Sequence, residues 1–517
     1  MVQATVQPSS TTSSLTFIFV ICFLFRLLNA FYTRTYDNPD EYWQGQEVAH
    51  ELVFGNGYLT WEWKEKIRSF AHPIAIATIY KIIQLLGLEH THILVAAPRY
   101  FQSTLAAIAD VATYTLAKKI IGNDIALSIL FTTLCSWFNF LMAARTLSNS
   151  MEMVFTIIAL NYWPIPGIVK TTGNSWVKRY RISLIFASIA CVMRPTNGLI
   201  WLFLGAQLLL CSNNRFKVAS NAVFICVLVT VLDVMIDTRL YNHSWSNIMG
   251  NLVFTPYLFF KVNVVNNISL LYGVHTWHWY VSQGIPFIFT TFLPLIGFGL
   301  YRICTTPMLN RIRSLLYLSV WVVIIYSLLP HKEFRFIFPI VPLILMIAAY
   351  GLQQIGSSRW RKRVMLLLVF TQIPMALYTS IWHQRGVMDV MLWMRSQPKN
   401  ISVGVLMPCH STPWYSIIHE KIPMWFLTCE PPLTETNELD EADQFYANPI
   451  EFLKSHQEDR IWPATHLLLF DNLIPEILDY LDNQGYKECK RFFNSHFHDD
   501  KRRRGDVVVF CHQTHSS

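Results

Sequence analysis

The chain has 517 residues, of which 53% are hydrophobic and only 14% are charged, and its mean hydropathy is +0.32. Soluble domains carry about 25% charged residues, so this balance, with apolar runs along most of the length, excludes an ordinary soluble protein and predicts a polytopic membrane protein. The net charge of +8 is not a nucleic-acid signal here, because Lys and Arg between spans report topology, and no nucleic-acid partner is expected.

The N-terminal end falls into two parts. Residues 1–14 are rich in Ser and Thr, which predicts a disordered cytoplasmic tail. The apolar run from Leu15 to Phe31 follows, with no Lys or Arg before Arg26. A cleaved signal peptide begins with a basic region, so we interpret this run as a signal anchor and the first span.

The stretch Asp37–Gln44 (DNPDEYWQ), named here the acidic segment, is the densest acidic cluster near the front of the chain. Asp and Asn residues around Pro39 are typical of a turn that starts a helix, and the apolar spacing extends that helix to Phe54. Asp40 then lies at the N-cap or in the first turn, where the positive end of the helix favours an ionised carboxylate.

Asp40 and Glu41 are the candidate catalytic residues of this segment. A carboxylate at the mouth of a membrane cavity can take a proton from a sugar hydroxyl as that hydroxyl attacks. From the pair alone, a solvated acidic surface is the alternative. The polar loop 32–70 also contains three tryptophans, which we expect to anchor it at the membrane interface, namely Trp43, Trp61 and Trp63.

Further apolar segments predict a transmembrane module over residues 15–383 with about 11 or 12 spans. The segment 71–88 is short and contains Lys81, so it is the first candidate for a segment that does not cross. The segments after the first are 71–88, 93–117, 121–141, 151–168, 182–193, 195–211, 218–236, 285–303, 314–330, 337–354 and 364–383.

Lys and Arg cluster in alternate connectors, which the positive-inside rule assigns to the cytoplasm. The other connectors, and everything after residue 384, then face the lumen. Three N-glycosylation sequons agree with this assignment, because all of them fall in predicted lumenal parts. The sequons begin at Asn242, Asn267 and Asn400.

The stretch His331–Phe336 (HKEFRF), named here the basic connector, lies between two apolar runs. Ionisable groups at membrane depth are costly and tend to be functional. His331, Lys332 and Arg335 form a candidate clamp for a phosphate, with Glu333 orienting one of them. An ordinary lumenal hairpin with a Glu–Arg pair is the alternative that the chemistry leaves open.

Two further arginines lie in connectors. Arg145, within ARTLSNSME, is a candidate phosphate ligand, with a snorkelling interfacial residue as the alternative. Arg194 precedes Pro195, which favours a helix break, and we interpret it as structural. The sequence contains no P-loop, Rossmann glycine pattern or DxD-like site, which argues against a nucleotide donor, and neither a metal nor a cofactor is predicted.

The C-terminal residues 384–517 are predicted to form a small lumenal α/β domain. The expected strands are 402–407, 466–470 and 507–510, and the expected helices are 441–455 and 473–481. In an oxidising lumen, four cysteines of this part are predicted to form two disulfides in one of three pairings, with free thiols as the alternative. They are Cys409, Cys429, Cys489 and Cys511.

The acidic segment, ARTLSNSME and HKEFRF together resemble the dolichol-phosphate-mannose-dependent mannosyltransferases of the GT-C class, glycosyltransferase family 22. HKEFRF is similar to the H-[KQ]-E-x-R-F signature of that family. GNGYLTWEW (Gly55–Trp63) and the C-terminal stretches LMPCHSTPWYS, PMWFLTCEPP and DEADQFYANP resemble its branch that acts on the GPI-anchor precursor. The resemblance covers nearly the whole chain.

This resemblance implies a multi-pass enzyme of the endoplasmic reticulum membrane that adds the third mannose, α1,2-linked, to the GPI precursor. The donor would be dolichyl phosphate mannose, whose β-linkage makes the reaction inverting. Asp40 is then the expected base, with Glu41 as its helper. Lys332 and Arg335 would hold the donor phosphate, assisted by His331 and Arg145.

Two alternatives are kept. A sister enzyme would act on the N-glycan lipid precursor or add the fourth GPI mannose, which the accumulating lipid intermediate would distinguish. A lipid transporter or scramblase would also carry intramembrane charges, but it predicts paired inverted repeats, and none is found in the sequence.

Overall fold

The computed structural model describes residues 11–169, 171, 173–243, 250–431, 439–456, 460 and 462–513. Most of the predicted tail 1–14 and the serine of the Asn242 sequon lie outside these ranges, and the first helix begins at Thr11.

Helices make up most of the described chain. The first eleven are α1 Thr11–Tyr32, α2 Glu47–Phe54, α3 Trp61–Lys64, α4 Ala71–Leu85, α5 Ile93–Ile120, α6 Ala126–Cys135, α7 Trp137–Ala143, α8 Ser148–Tyr162, α9 Val177–Met193, α10 Gly198–Cys211 and α11 Arg215–Asn242. The others are α12 Thr255–Phe260, α13 Ile285–Phe289, α14 Leu293–Cys304, α15 Leu309–Leu328, α16 Val341–Gln353, α17 Ser358–Ile381, α18 Gly386–Arg395, α19 Tyr415–Ile418, α20 Glu441–Ala447, α21 Pro449–Ser455 and α22 Ile474–Asn483.

Within the described ranges, six helical stretches are long and apolar enough to cross a membrane, or seven if the helices on either side of Ser136, bent by 67°, form one broken span. The multi-pass fold is therefore confirmed. Several other predicted segments are shorter helices, such as α4 with 15 residues, so the count of 11 or 12 spans stays a prediction.

The chain divides into two compact units. The first unit comprises Met1–Phe31, Ile67–His72 and Arg99–Ala376, and the second comprises Tyr32–Lys66, Pro73–Pro98 and Leu377–Ser517. The C-terminal residues therefore share one unit with the loop that contains the acidic segment.

A five-stranded sheet in the second unit has the order β2-β1-β3-β5-β4. β1 pairs in parallel with β2 and β3, while β5 pairs antiparallel with β3 and β4. The three predicted strands and the predicted helix 473–481 are present, and two strands were missed. The single helix predicted over 441–455 is two helices, α20 and α21, because Asn448 before Pro449 has a non-helical backbone. The strands are β1 Val403–Val405, β2 Met424–Phe426, β3 His466–Phe470, β4 Tyr486–Ser495 and β5 Gly505–His512.

The two faces of this sheet bury different partners, because alternate strand residues point to opposite sides. Leu467 and Leu469 pack in one apolar core with helices α20 to α22. Leu468 and Phe470 pack in another core with α18 and with Tyr42 and Trp43 of the acidic segment. The acidic segment therefore rests on a rigid apolar core rather than on a mobile loop.

In the first unit, a buried ion pair joins α1 to α5. Nε and Nη2 of Arg26 donate to the two carboxylate oxygens of Asp110 at 2.7 and 2.8 Å, and the two side chains are 1% and 4% exposed. A carboxylate and a guanidinium removed from water need each other, because an unpaired buried charge is costly.

We predict that Asp110→Asn destabilises the full-length protein by about 3–5 kcal/mol, because it leaves the Arg26 charge without its counter-ion. Thermal unfolding in detergent would show this as a lowered midpoint, partly restored by the double substitution Arg26→Met with Asp110→Leu. The control is Lys64→Met at the exposed Lys64–Glu430 pair, where the loss should be about 0–1 kcal/mol. Equal losses for the two single substitutions would contradict the prediction.

Candidate active site

The acidic segment begins a helix as predicted. The side-chain oxygen of Asn38 accepts a hydrogen bond from the main-chain N–H of Asp40 at 3.0 Å, and the N–H of Trp43 donates to the carbonyl of Pro39 at 3.0 Å. Asn38 therefore caps the helix and Asp40 lies in its first turn, where the free N–H groups favour a negative charge.

The next turn is wider than an α-helical turn. Tyr42–Gln46 forms a π-helical turn in which the N–H of Glu47 bonds back to the carbonyl of Tyr42, and all five residues of the turn are buried. Such turns are rare and are frequently found at functional sites. The turn brings Trp43 and Glu47 to the same side, facing the C-terminal chain.

Burial separates the two candidate carboxylates. Glu41 is fully buried at 0% exposure, whereas Asp40 is partly exposed. A general base has to reach the proton that it removes, so the geometry favours Asp40 as the residue that meets an acceptor and gives Glu41 a supporting position.

The predicted interfacial role of the three tryptophans is wrong. Trp43, Trp61 and Trp63 are 3%, 7% and 2% exposed and pack inside the protein. An indole suits a membrane interface and a protein core equally well, and sequence spacing does not distinguish these environments.

The C-terminal chain holds the acidic segment by hydrogen bonds to buried side chains. Nε1 of Trp43 donates to the carbonyl of Thr412 at 3.0 Å, and the Tyr36 hydroxyl donates to the carbonyl of His410 at 2.7 Å. Oε1 of Glu47 accepts from the main-chain N–H groups of Trp414 and Ser416 at 3.2 and 2.7 Å. The stretch LMPCHSTPWYS therefore supports the acidic segment directly.

Sequence reasoning missed Tyr36, Glu47 and His410 as parts of this site. His410 lies in a C-terminal motif that the sequence analysis had singled out. Its partner Tyr36 is 374 positions away in the chain, so local pattern could not show the contact. Glu47 was missed because a charged residue in an amphipathic helix is usually exposed to solvent, whereas Glu47 is fully buried.

A second contact joins the same elements. Nδ1 of His50 donates to the carbonyl of Asn56 at 2.5 Å, and Nε2 of His50 lies 2.9 Å from Nδ1 of His419. Burial lowers the pKa of His50 to about 4, so this ring is neutral at physiological pH and accepts from His419.

The four C-terminal cysteines form two disulfides, Cys409–Cys429 and Cys489–Cys511. The prediction of two disulfides is confirmed, and the structure selects one of the three pairings. The first bridge lies next to His410. In the described part of the chain, Cys409, His410 and Cys429 are the single group close enough to suggest a metal site, but their sulfurs are bonded to each other and are not free thiolates.

In the first unit, Glu333 is the centre of the basic connector. Its Oε1 accepts from Nη2 of Arg335 at 2.8 Å, its Oε2 lies 2.7 Å from Nε of Arg335, and Nε2 of His331 lies 3.2 Å from Oε1. Burial by itself would raise the pKa of Glu333, but Arg335 and His331 lower it to about 2. The carboxylate therefore stays charged and orients two cations rather than one.

His331 is arranged as a cation. Its Nδ1 lies 3.1 Å from the carbonyl of Gly273, and its Nε2 faces Glu333. Both neighbours are acceptors, so only the doubly protonated ring satisfies both. Burial opposes this charge, but the bond to Glu333 outweighs it and raises the pKa of His331.

Lys332 has a different environment from Arg335. It is 3% exposed, and its ammonium donates to the carbonyls of His275, at 3.1 Å, and Leu329. These bonds tie the basic connector to main-chain carbonyls of residues that precede it in the sequence. Arg145, in the turn between α7 and α8, is fully buried. The phosphate-binding roles of Lys332 and Arg145 stay predictions.

The fold is that of the GT-C membrane glycosyltransferases. ArnT from Cupriavidus metallidurans, solved with undecaprenyl phosphate, matches with a TM-score of 0.59 at 10% identity over 97% of this chain and 98% of that chain. An oligosaccharyltransferase of Archaeoglobus fulgidus matches with a TM-score of 0.56 at 10% identity, over 90% of this chain and 70% of that one.

The chain belongs to the Alg9-like mannosyltransferase family, whose model matches residues 17–419, and it is a membrane mannosyltransferase. It is 40% identical to GPI mannosyltransferase 3 of Yarrowia lipolytica, over 95% of this chain and 96% of that protein. It is 39% identical to the human GPI alpha-1,2-mannosyltransferase 3, over 91% and 82% of the two chains. The family predicted from the motifs is therefore confirmed.

We predict that the buried carboxyl of Glu47 makes stability depend on pH. Burial raises its pKa from 4.5 to about 7, so the stabilising contribution of the protonated form is complete below about pH 4.5 and is lost as the pH rises through 7. Glu47→Gln keeps an acceptor for Trp414 and Ser416 but cannot ionise. The thermal midpoint of the wild type should therefore fall more between pH 5 and 8 than that of Glu47→Gln.

The exposed Glu65→Gln is the matched control for this experiment and should keep the pH profile of the wild type. Parallel profiles for wild type and Glu47→Gln would show that Glu47 does not titrate in this range.

Proposed function

We propose that this mannosyltransferase transfers the third mannose, α1,2-linked, from dolichyl phosphate mannose to the GPI-anchor precursor in the endoplasmic reticulum membrane. The observation that carries the proposal is the similarity, at 36–40% identity over 91–96% of the chain, to proteins named GPI mannosyltransferase 3 or GPI alpha-1,2-mannosyltransferase 3. These names match transfer of a third, α1,2-linked mannose. The C-terminal motifs that suggested the GPI branch lie within these matches.

The reaction is an inverting single displacement. The acceptor hydroxyl attacks C1 of the β-linked mannose, its proton passes to the Asp40 carboxylate, and the bond from C1 to the phosphate oxygen breaks. The product is an α-mannoside, and dolichyl phosphate leaves with the electron pair. One base is sufficient, which agrees with one accessible carboxylate and one buried neighbour in the acidic segment.

The leaving group gains negative charge on its phosphate. Arg335 and His331 supply guanidinium and imidazolium groups that Glu333 has already oriented, so little reorganisation is needed when the charge develops. Lys332 bonds to main-chain carbonyls before the connector, and its ammonium adds positive charge next to His331 and Glu333. Arg145 remains a proposed assisting group, and the scheme uses no cofactor or metal ion.

The compartment and orientation are parts of the same proposal. Disulfides persist in oxidising compartments, which supports placing the C-terminal residues and the acidic segment, in the same unit, on the lumenal side. Asn400 and Asn267 of two sequons are exposed, as a glycosylation acceptor requires.

We predict that Asp40→Asn reduces the turnover number by about 10²–10⁴-fold, the usual contribution of a general base, with little change in thermal stability. The assay uses purified full-length protein, dolichyl phosphate mannose and a GPI intermediate with two mannoses. Asp37→Asn, a partly exposed acid in the same segment, is the control and should keep most activity. Full activity of Asp40→Asn would show that Asp40 is not the base.

The same assay separates the alternatives. A sister enzyme would prefer an N-glycan lipid precursor or a GPI intermediate with three mannoses. A transporter or scramblase would move lipid without forming a mannosidic bond. In cells lacking the protein, accumulation of the two-mannose GPI intermediate is expected, and normal GPI with truncated N-glycans would contradict the proposal.

We further predict that donor affinity falls with rising pH as His331 loses its proton. Glu333 raises the pKa of His331, so Glu333→Gln should move the rise in donor KM to lower pH. His331→Asn should remove this transition altogether. The measurement is donor KM between pH 6 and 9 at constant ionic strength. An unchanged transition in Glu333→Gln would contradict the coupling between these residues.

A further inference from the structure

Two arginines lie close to the ring of Phe336 at the end of the basic connector. Cζ of Arg335 lies 5.9 Å from the ring centre, and Cζ of Arg194 lies 5.4 Å from it. Arg194 lies at the break between α9 and the short 3₁₀ helix Pro195–Asn197, more than 130 positions earlier in the sequence. The fold thus places two guanidinium groups beside one aromatic ring.

Each arginine has a carboxylate of its own. Nε of Arg194 lies 3.6 Å from Oε2 of Glu152, as Arg335 is held by Glu333. With His331 protonated, the two arginines and this histidine set three cations against the two carboxylates Glu152 and Glu333, and Arg68 adds a further positive charge near Arg194. Bringing like charges together is unfavourable, and the surplus positive charge is the feature that an anion would compensate.

Hydrogen bonds couple the two arginines. Nη1 of Arg194 donates to Oγ of Ser148 and to Oδ1 of Asn149, both at 3.3 Å. Nδ2 of the same Asn149 donates to the carbonyl of Arg335 at 3.4 Å. A shift of Arg194 would therefore be transmitted to the main chain that carries Arg335.

Both side chains keep a small exposed fraction. The side chain of Arg194 is 10% exposed and that of Arg335 is 12% exposed, whereas Arg145 is fully buried. Because Nη1 of Arg194 is bonded to Ser148 and Asn149 and its Nε faces Glu152, a phosphate would meet the remaining nitrogen, Nη2.

We propose that Arg194 is a second phosphate-binding arginine of the donor site, acting together with Arg335, which lies beside the same Phe336 ring. The inference rests on the proposed function, because it needs a lipid-linked phosphate. The donor phosphodiester carries one negative charge, while the released phosphomonoester approaches two. A second arginine therefore binds the leaving group more strongly than the donor, which accelerates bond breaking.

Arg194→Met and Arg194→Lys test this in the full-length detergent-purified protein. Arg194→Met should raise the inhibition constant of dolichyl phosphate about tenfold or more and lower the turnover number, while the acceptor KM stays within about twofold. Arg194→Lys keeps the charge but loses the planar fork, so it should lie between wild type and Arg194→Met. The control is Arg181→Met, at an exposed arginine of α9, the helix that ends just before Arg194, and it should match the wild type.

A purely structural Arg194 would give another pattern. Donor and acceptor KM would then rise together, or the inhibition constant of dolichyl phosphate would not change, and either result overturns the proposal. If Arg194→Met does not fold, Arg194→Lys is judged by the same ratio of dolichyl phosphate inhibition to acceptor KM.

Thermal stabilisation by dolichyl phosphate separates this inference from the proposed function. A wild type that binds dolichyl phosphate but does not mannosylate the two-mannose GPI intermediate would refute the function. The comparison of dolichyl phosphate binding by wild type and the Arg194 variants would still decide the role of Arg194.

Discussion

The anchoring of Trp43 and Glu47 to the C-terminal chain is the constraint on which the acidic segment depends. The hydrogen bond from Trp43 to Thr412 and that from Ser416 to Glu47 each span 369 positions of sequence. Both groups are buried, so leaving either one unpaired would cost more than the bond itself contributes. Asp40, the proposed base, therefore starts from a fixed helix turn, and a general base has to lie within reach of the proton that it removes.

The C-terminal residues therefore support the acidic segment directly. One face of their sheet packs against Tyr42 and Trp43. The loop after β1 and the start of α19 supply the carbonyl and N–H groups that hold the helix. The disulfide Cys409–Cys429 limits the movement of this loop. Residues that distinguish one branch of the family are in this way part of the support of residues that define the whole class.

In the first unit, the basic connector shows a different principle. Each arginine that we assign to phosphate binding is oriented by a buried or half-buried carboxylate, Glu333 for Arg335 and Glu152 for Arg194. Orientation before binding reduces the reorganisation that a transition state requires. The two carboxylates also offset the repulsion between the cations that lie close together here. Lys332, by contrast, is bound to main-chain carbonyls and stabilises the connector itself.

Sequence by itself determined the membrane class, the helix start in the acidic segment and the principal strands of the sheet, because these follow from composition, local capping and short-range periodicity. It also indicated the family, through the resemblance of its motifs to those of known members. Only the tertiary structure decided which carboxylate is exposed, which tryptophans are buried, how the cysteines pair, and that Arg194 shares a ring with Arg335. These properties depend on contacts between residues far apart in the chain. Local pattern shows what a side chain can do, but the partner that determines its role is supplied by the fold.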